Sequence, residues 1–158
     1  MPNSWLHLLA LIAYTGSLIG LAVLFLPALS AVKDHPSQLQ FLARGLKLYN
    51  PLQSGALGIL VVSGAWQITE LKAIYREFFL RELGLRLSLK LALSFILVLL
   101  SVYQSMALAH RFVRRYESGE IVSPEELRST IQRLRITTVV LLLLTLATAL
   151  AGIALQHR

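Results

Sequence analysis

The sequence predicts an all-α polytopic membrane protein, a bundle of four transmembrane helices with a short interfacial helix between the second and third spans. Two observations predict this class. Hydrophobic residues make up 56% of the 158 residues before the nine glycines are counted, whereas soluble domains have roughly 45–50% apolar residues with glycine included. Four long runs are also almost free of charge, and each can cross the bilayer once, because about 20 helical residues span about 30 Å.

The four spans are predicted at residues 5–29, 51–71, 87–110 and 134–156. The first begins at Trp5, an aromatic residue typical of the membrane interface, and the second begins with Pro51 in its first turn. Residues 1–4 carry no basic segment, and no cleavage site follows them. The first run is therefore predicted to be a retained span rather than a signal peptide.

The connections between the spans are predicted to be ordered. Residues 71–83 place apolar side chains at helical spacing opposite basic ones, which is typical of a helix lying in the interface. Ser123 and Pro124, followed by two glutamates, fit a capping box, so the fourth helix is predicted to start near Pro124. The third helix is predicted to extend to Tyr116, with a turn at residues 117–120. Neither a repeat nor a linker is evident, so residues 1–158 form one transmembrane four-helix domain.

The positive charge indicates a membrane partner rather than nucleic acid. The net charge is +7 and the pI about 10.3, but the Lys and Arg residues fall between the hydrophobic runs, where lipid phosphates are the expected partners. The two connections opposite the termini carry nine Lys and Arg residues, and the side of the termini carries six. This bias predicts that both termini of the multi-pass protein lie outside, which is the periplasm if the protein is in the bacterial cytoplasmic (inner) membrane, the expected location.

The residue types present exclude several chemistries. The chain has no cysteine, which excludes disulfides, thiolate zinc sites, iron–sulfur clusters and thiol catalysis. A complete catalytic triad, a phosphate-binding loop and a paired-histidine zinc motif are also missing from the sequence. Whether the chain is an enzyme therefore stays open at this stage.

Each predicted span carries a stripe of polar or small residues. Because lipid tails cannot form hydrogen bonds, these stripes are expected to face protein or an internal cavity. The stripe residues on the second, third and fourth spans are Ala56, Ser63, Gln67, Glu70, Lys90, Ser94, Ser101, Gln104, Ser105, Thr138, Thr145, Thr148, Gly152 and Gln156.

A candidate cofactor site follows from the topology, which brings residues from all four spans to one membrane face. His7 is predicted to ligate a metal or haem iron, with Tyr14 and Gln67 as hydrogen-bonding neighbours. Lys90 and Glu70 supply charge, and the second axial ligand is His157, Lys90 or none. Haem b is favoured over copper, because Met1 and Met106 are the only thioethers. Simpler alternatives stay open: an interfacial imidazole at His7, a snorkelling Lys90 and a surface ion pair at Glu70.

The first span also carries a G-x-x-x-G pattern at Gly16 and Gly20, opposite the His7 face. Glycines at this spacing let two helices approach closely. They are predicted to pack either inside the bundle or against another membrane subunit or a second copy of the chain.

The first span resembles the first helix of the CopD-like membrane domains, which are related in pattern to the HemJ-type protoporphyrinogen oxidases. The resemblance rests on His7 followed seven residues later by Tyr14, then Gly16 and Ser17, together with Ser63-Gly64-Ala65-Trp66 and Leu89-Lys90-Leu91-Ala92-Leu93. It implies a helical bundle associated with copper handling, or with haem b and porphyrin oxidation. It also implies functional roles for His7 and Lys90.

Two functions from different classes are consistent with these patterns. One is a redox or metal-handling membrane subunit, with haem b near the outer face, that exchanges electrons with a quinone or a partner. The other is a non-catalytic accessory subunit that packs in a larger membrane complex through Gly16 and Gly20. A small transporter is a weaker third hypothesis, since the spans show no broken helices.

Overall fold

The computed structural model describes the backbone of residues 2–75 and 84–156 and the side chains of residues 5–69 and 88–151. Within these ranges the regular structure is entirely helical, so the predicted all-α class is confirmed. The described helices form four rods, with short connections between rods 1 and 2 and between rods 3 and 4.

The rods differ in how regular they are. Rod 1 consists of α1 (Pro2–Ile19), a π-helical segment (Gly20–Phe25) and α2 (Leu26–Ala31). Rod 2 is α3 (His35–Tyr75), and rod 4 is α6 (Pro124–Gln156). Rod 3 consists of α4 (Gly84–Val102), a second π-helical segment (Tyr103–His110) and α5 (Arg111–Glu117).

Three helical stretches of the described chain are long and apolar enough to cross a membrane: Trp5–Ala31, Ser88–Glu117 and Pro124–Ala151. They contain the first, third and fourth predicted spans, which agrees with a multi-pass membrane protein. The second predicted span, residues 51–71, lies inside α3 and is not one of the three. Its glutamines, serines and glycines make it less apolar than the other predicted spans.

The prediction that the second helix begins at Pro51 is wrong, because α3 begins at His35 and continues through Pro51. Pro51 has no N–H group and so removes one backbone hydrogen bond from the helix. Leu46 before the proline and Gln53 after it are both buried. The packing of the two halves therefore outweighs the local cost, as tertiary contacts commonly do.

The start of rod 4 is confirmed. The backbone N–H of Glu126 donates to Ser123 Oγ at 3.2 Å, and that of Leu127 to the Ser123 carbonyl at 3.0 Å. The extension of the third helix is also confirmed, since α5 ends at Glu117, and Gly119 makes the following turn with a φ of 74°. Of the predicted interfacial helix, residues 71–75 continue α3, and residues 76–83 lie outside the described residues.

The interior of the bundle has two apolar clusters with polar residues between and beside them. One cluster lies toward the turn between rods 3 and 4 and includes Phe25, Leu46 and Phe112. The other lies at the middle of the rods and includes Tyr14, Leu57 and Leu141. Six residues of the predicted stripes on rods 2, 3 and 4 are buried, in agreement with the prediction that these stripes face inward: Ala56, Ser63, Ser101, Gln104, Thr138 and Thr145.

Candidate functional site

His7 lies on rod 1 with its imidazole turned toward rod 2. Its Nδ1 atom is 2.9 Å from Ser63 Oγ. The Ser63 hydroxyl donates its own hydrogen to the backbone of rod 2, 2.7 Å from the Ile59 carbonyl oxygen. Both hydrogen bonds form together when Ser63 Oγ accepts from an N–H at His7 Nδ1. This assignment leaves the lone pair of the neutral ring on Nε2, as in a ligating histidine that a second partner orients.

The His7 ring lies next to Gly64 and Ser63 of rod 2. A Cβ placed on Gly64 would be in van der Waals contact with the ring, 3.4 Å from His7 Cε1. Ser63 is 3% exposed, so its hydroxyl is shielded from water. The hydrogen bond to Ser63 therefore orients the imidazole.

The third rod contributes a positive charge at the same level of the bundle. The Lys90 ammonium of rod 3 lies within electrostatic range of the His7 ring, and both side chains are half-buried. The structure thus brings together two of the predicted site residues from different rods.

The other predicted site residues are placed differently. Gln67 is half-buried on the same face of rod 2 as Ser63, one turn further toward the end of α3. The Glu70 side chain and all of His157 lie outside the part of the chain described here. Tyr14 is about two helical turns from His7 along rod 1 and belongs to a second polar group at the middle of the bundle.

Tyr14 is fully buried and joins rod 1 to rod 3. Its hydroxyl is hydrogen-bonded to Ser101 Oγ. The Ser101 hydroxyl donates to the Leu97 carbonyl oxygen at 2.7 Å, so Ser101 accepts from the tyrosine. Burial of a tyrosine requires such a partner for its hydroxyl group.

A chain of side-chain hydrogen bonds continues across the bundle beside Tyr14. Gln53 Nε2 on rod 2 donates to Gln104 Oε1 on rod 3 at 3.3 Å, and Gln104 Nε2 donates to Thr138 Oγ1 on rod 4 at 2.8 Å. All three residues are buried. Together with Tyr14 and Ser101 they form what we call the central polar layer, to which every rod contributes.

Gln53 is not among the residues that the polar stripes predicted to face the interior. The available signal was spacing, since Gln53 is three residues before Ala56 and so shares the helix face already assigned to the interior. The predicted helix start at Pro51 placed Gln53 in a first turn, where a glutamine needs no buried partner.

A small cavity of about 10 Å³ lies beside the central polar layer, between rods 2 and 3. That volume accommodates roughly one water molecule. Ser105 lies on its wall and donates to Asn50 Oδ1 at 2.6 Å. Residues of both π-helical segments also line it, Leu21 in rod 1 and Ala109 in rod 3. Such segments are frequent at functional sites.

The described residues contain no group of three or more His, Cys, Asp or Glu side chains that could hold a metal ion. A bare zinc or copper ion needs three or four protein ligands. Haem iron needs only one or two, because the porphyrin supplies the other four. His7 alone could therefore supply the protein ligand that a haem iron needs.

The two glycines of the G-x-x-x-G pattern have different surroundings. Gly20 is half-buried, and a Cβ on it would lie 3.3 Å from the Tyr49 hydroxyl oxygen of rod 2. Gly16 is exposed, and a Cβ on it would meet no described atom within 4 Å. Gly20 packs inside the bundle, whereas Gly16 is on the outer surface.

Comparison with known proteins returned no match: no family model, no curated protein and no solved structure is significantly similar to the chain. The resemblance to the CopD-like domains thus stays a prediction from the motifs.

Proposed function

We propose that this chain is a four-span membrane protein that binds haem b through His7 near one face of the bilayer and acts as a redox subunit. The observation that carries the proposal is the hydrogen bond from His7 Nδ1 to Ser63 Oγ, which leaves the Nε2 lone pair for a ligand. An axial histidine in a haem protein has the same requirement, a partner on one nitrogen and a free lone pair on the other.

The surrounding residues have distinct roles in this proposal. Ser63 orients the imidazole, and Lys90 would supply a cation for a haem propionate or a second protein ligand to the iron. His157 is the alternative second ligand. When bound, haem supplies one-electron redox chemistry, and the protein sets its ligation and dielectric surroundings. The proposed electron partner is a quinone or another membrane subunit.

Rod 2 is proposed as the fourth span because it follows rod 1 along most of its length. Near one end of rod 1, His7 is bonded to Ser63 of rod 2. Near the other end, the Phe25 ring stacks on Phe41 with centroids 5.3 Å apart. A helix that lies beside a membrane-spanning helix at both ends has to cross the membrane with it. We propose both termini on the periplasmic side, in keeping with the excess of basic residues on the opposite side.

The spectrum of the purified protein tests the haem proposal. Protein purified in a mild detergent is expected to show a Soret band and a reduced-minus-oxidised difference spectrum, both abolished or shifted in His7→Ala. His110→Ala is the matched control, because this exposed histidine lies at the far end of rod 3 and its loss should leave the spectrum unchanged. A fully folded wild-type protein without a Soret band would contradict the proposal that it binds haem.

The exposed Gly16 favours a second candidate function, a non-catalytic subunit that packs against a partner helix in a larger complex or against a second copy. Open space above a glycine in an apolar helix permits close approach of another helix. Gly16→Leu is then expected to release the protein from its complex without unfolding it. Gly58→Leu is the control, because Gly58 also has open space around it but lies on rod 2. Unchanged co-purification of Gly16→Leu would count against this interface.

A further inference from the structure

A groove of about 290 Å³ lies between rods 3 and 4, near the turn that joins them. Its volume is at the lower end of the roughly 300–1,000 Å³ common for small-ligand pockets. Three arginines line it, Arg111 and Arg115 from rod 3 and Arg133 from rod 4. The only acidic residue in its lining is Glu126. The groove is therefore suited to an anion.

The charges in this groove are only partly neutralised. Arg115 forms ion pairs with Glu126 and with Glu120, the latter at 2.7 Å. Among the described residues, neither Arg111 nor Arg133 forms an ion pair, although Glu120 attracts Arg111 at longer range. The guanidinium groups of Arg111 and Arg133 line the same groove and are available to one ligand, while Glu126 is paired with Arg115. Guanidinium groups bind phosphate oxygens with two parallel hydrogen bonds.

The groove lies at the level of the lipid headgroups. Arg111 directly follows the charge-free run of residues 91–110, and Arg133 lies just before the run of residues 136–157. The wall of the groove also includes apolar residues, Leu108 and Phe112 among them. The ligand chemistry is therefore a phosphate group next to hydrocarbon.

The surface below the groove is suited to an acyl chain. The helix faces that carry Arg111 and Arg133 continue toward the membrane centre as Tyr103 and Val140, which are 43% and 38% exposed. From these observations we infer that the groove is a binding site for the phosphodiester headgroup of an anionic phospholipid, whose acyl chain lies along rods 3 and 4. Basic pockets between transmembrane helices bind anionic headgroups in this manner. The inference does not depend on haem binding.

Native mass spectrometry of the full chain in a neutral detergent tests this inference, with phosphatidylglycerol and phosphatidylcholine added in equal amounts. The wild type is expected to retain phosphatidylglycerol preferentially. Arg111→Gln/Arg133→Gln should lose about thirtyfold in that preference, and each single variant about fivefold, since one basic residue near the membrane surface contributes about 1 kcal/mol. The single variants keep the test informative if the double variant does not fold.

The matched control is Arg114→Gln/Arg128→Gln, which removes the same charge from exposed arginines outside the groove. It should keep the wild-type preference. If both double variants lost the preference for phosphatidylglycerol equally, the preference would come from diffuse surface charge. If neither lost it, the groove would not be the binding site. Either result would overturn the inference. Inorganic phosphate at the lipid concentration is expected to displace little lipid, and complete displacement would assign the groove to a free anion instead.

Discussion

Gly45 of rod 2 lies directly against the ring of Phe25 in rod 1, so closely that a Cβ on Gly45 would be 1.9 Å from Phe25 Cε2. The ring is enclosed on rod 2 by Phe41, with centroids 5.3 Å apart, and by Tyr49, at 5.5 Å. It therefore has little freedom to move aside. This contact sets the separation of the two rods at the end opposite His7.

Gly45→Ala is expected to destabilise the protein by about 1–3 kcal/mol, because overpacking forces side chains off their rotamers or moves the backbone. Helix propensity alone would predict a gain of about 1 kcal/mol, so the sign of the effect separates packing from propensity. Gly58→Ala is the control, since a Cβ there meets no described atom within 4 Å. Reversible unfolding in a denaturing detergent measures the free energy of unfolding of both variants. Equal stability of Gly45→Ala and Gly58→Ala would contradict the close contact between Gly45 and Phe25.

Gln53 and Gln104 are expected to be energetically coupled through their hydrogen bond in the central polar layer. A double-mutant cycle with Gln53→Leu and Gln104→Leu should give about 0.6–1.7 kcal/mol, the range found for hydrogen bonds between membrane helices. The free energy of unfolding of the four proteins supplies the coupling energy. A cycle that pairs Gln104→Leu with Ser37→Ala, remote and exposed, should give a value near zero. Coupling of the same size in both cycles would mean that the layer is not a specific network.

Ser63→Ala is expected to lower haem affinity about 10–100-fold while His7 remains in place. The reason is that the imidazole loses the acceptor that orients it, and second-shell partners of ligating histidines have effects of this size. Thr69→Ala is a matched control, because among the described residues the Thr69 hydroxyl donates to backbone carbonyls of rod 2 and to no side chain. Unchanged haem affinity in Ser63→Ala would contradict the proposal that the hydrogen bond between His7 and Ser63 prepares His7 to bind haem.

The start of rod 2 is expected to weaken in acid. Asp34 Oδ2 accepts from the Ser37 hydroxyl at 2.6 Å and from the Ser37 backbone N–H at 3.2 Å. These hydrogen bonds lower the pKa of Asp34 below its ordinary value of 3.8. Because the pKa is lower in the folded state, the contribution to stability is complete above that value and is lost as the pH falls through the lowered pKa.

Thermal unfolding followed by circular dichroism from about pH 2 to about pH 7, on both sides of the ordinary Asp pKa, measures this effect. Asp34→Asn keeps a good capping residue but cannot ionise. Its unfolding temperature should fall less steeply than that of the wild type once the pH is below the ordinary pKa of 3.8. Parallel pH profiles of the two proteins would show that the Asp34 carboxylate does not stabilise the helix start.

The parts of this fold that follow from local patterns could be predicted from the sequence. Helical periodicity identified the inward faces of Ser101, Gln104 and Thr138, because hydrocarbon offers polar groups no alternative partner. The capping box at Ser123 gave the start of rod 4 correctly. Both predictions depend only on neighbouring residues and on the solvent around the helix.

Relationships between rods could not be predicted in the same way. Periodicity gives the face of a helix but not which residue of another helix lies opposite, so Ser63 could not be identified as the partner of His7. The π-helical segments add a second difficulty. Gln104 and Ala109 both line the small cavity, although they are five residues apart. In a regular α-helix, two residues at this spacing lie on different faces, whereas the wider turn of the π-helical segment brings them to the same side. The helix start predicted at Pro51 is wrong because the packing of the residues around Pro51 outweighs the cost of the backbone hydrogen bond that the proline removes.

Titration of cofactor-free protein with hemin tests the role of His7 most directly. The Soret band of the wild type is expected to shift and to saturate at about one hemin per chain, as a defined axial ligand requires, whereas His7→Ala should show no such saturation. A linear, non-saturating increase that is the same in wild type and His7→Ala, as given by hemin dissolving in detergent, would contradict the proposed haem site.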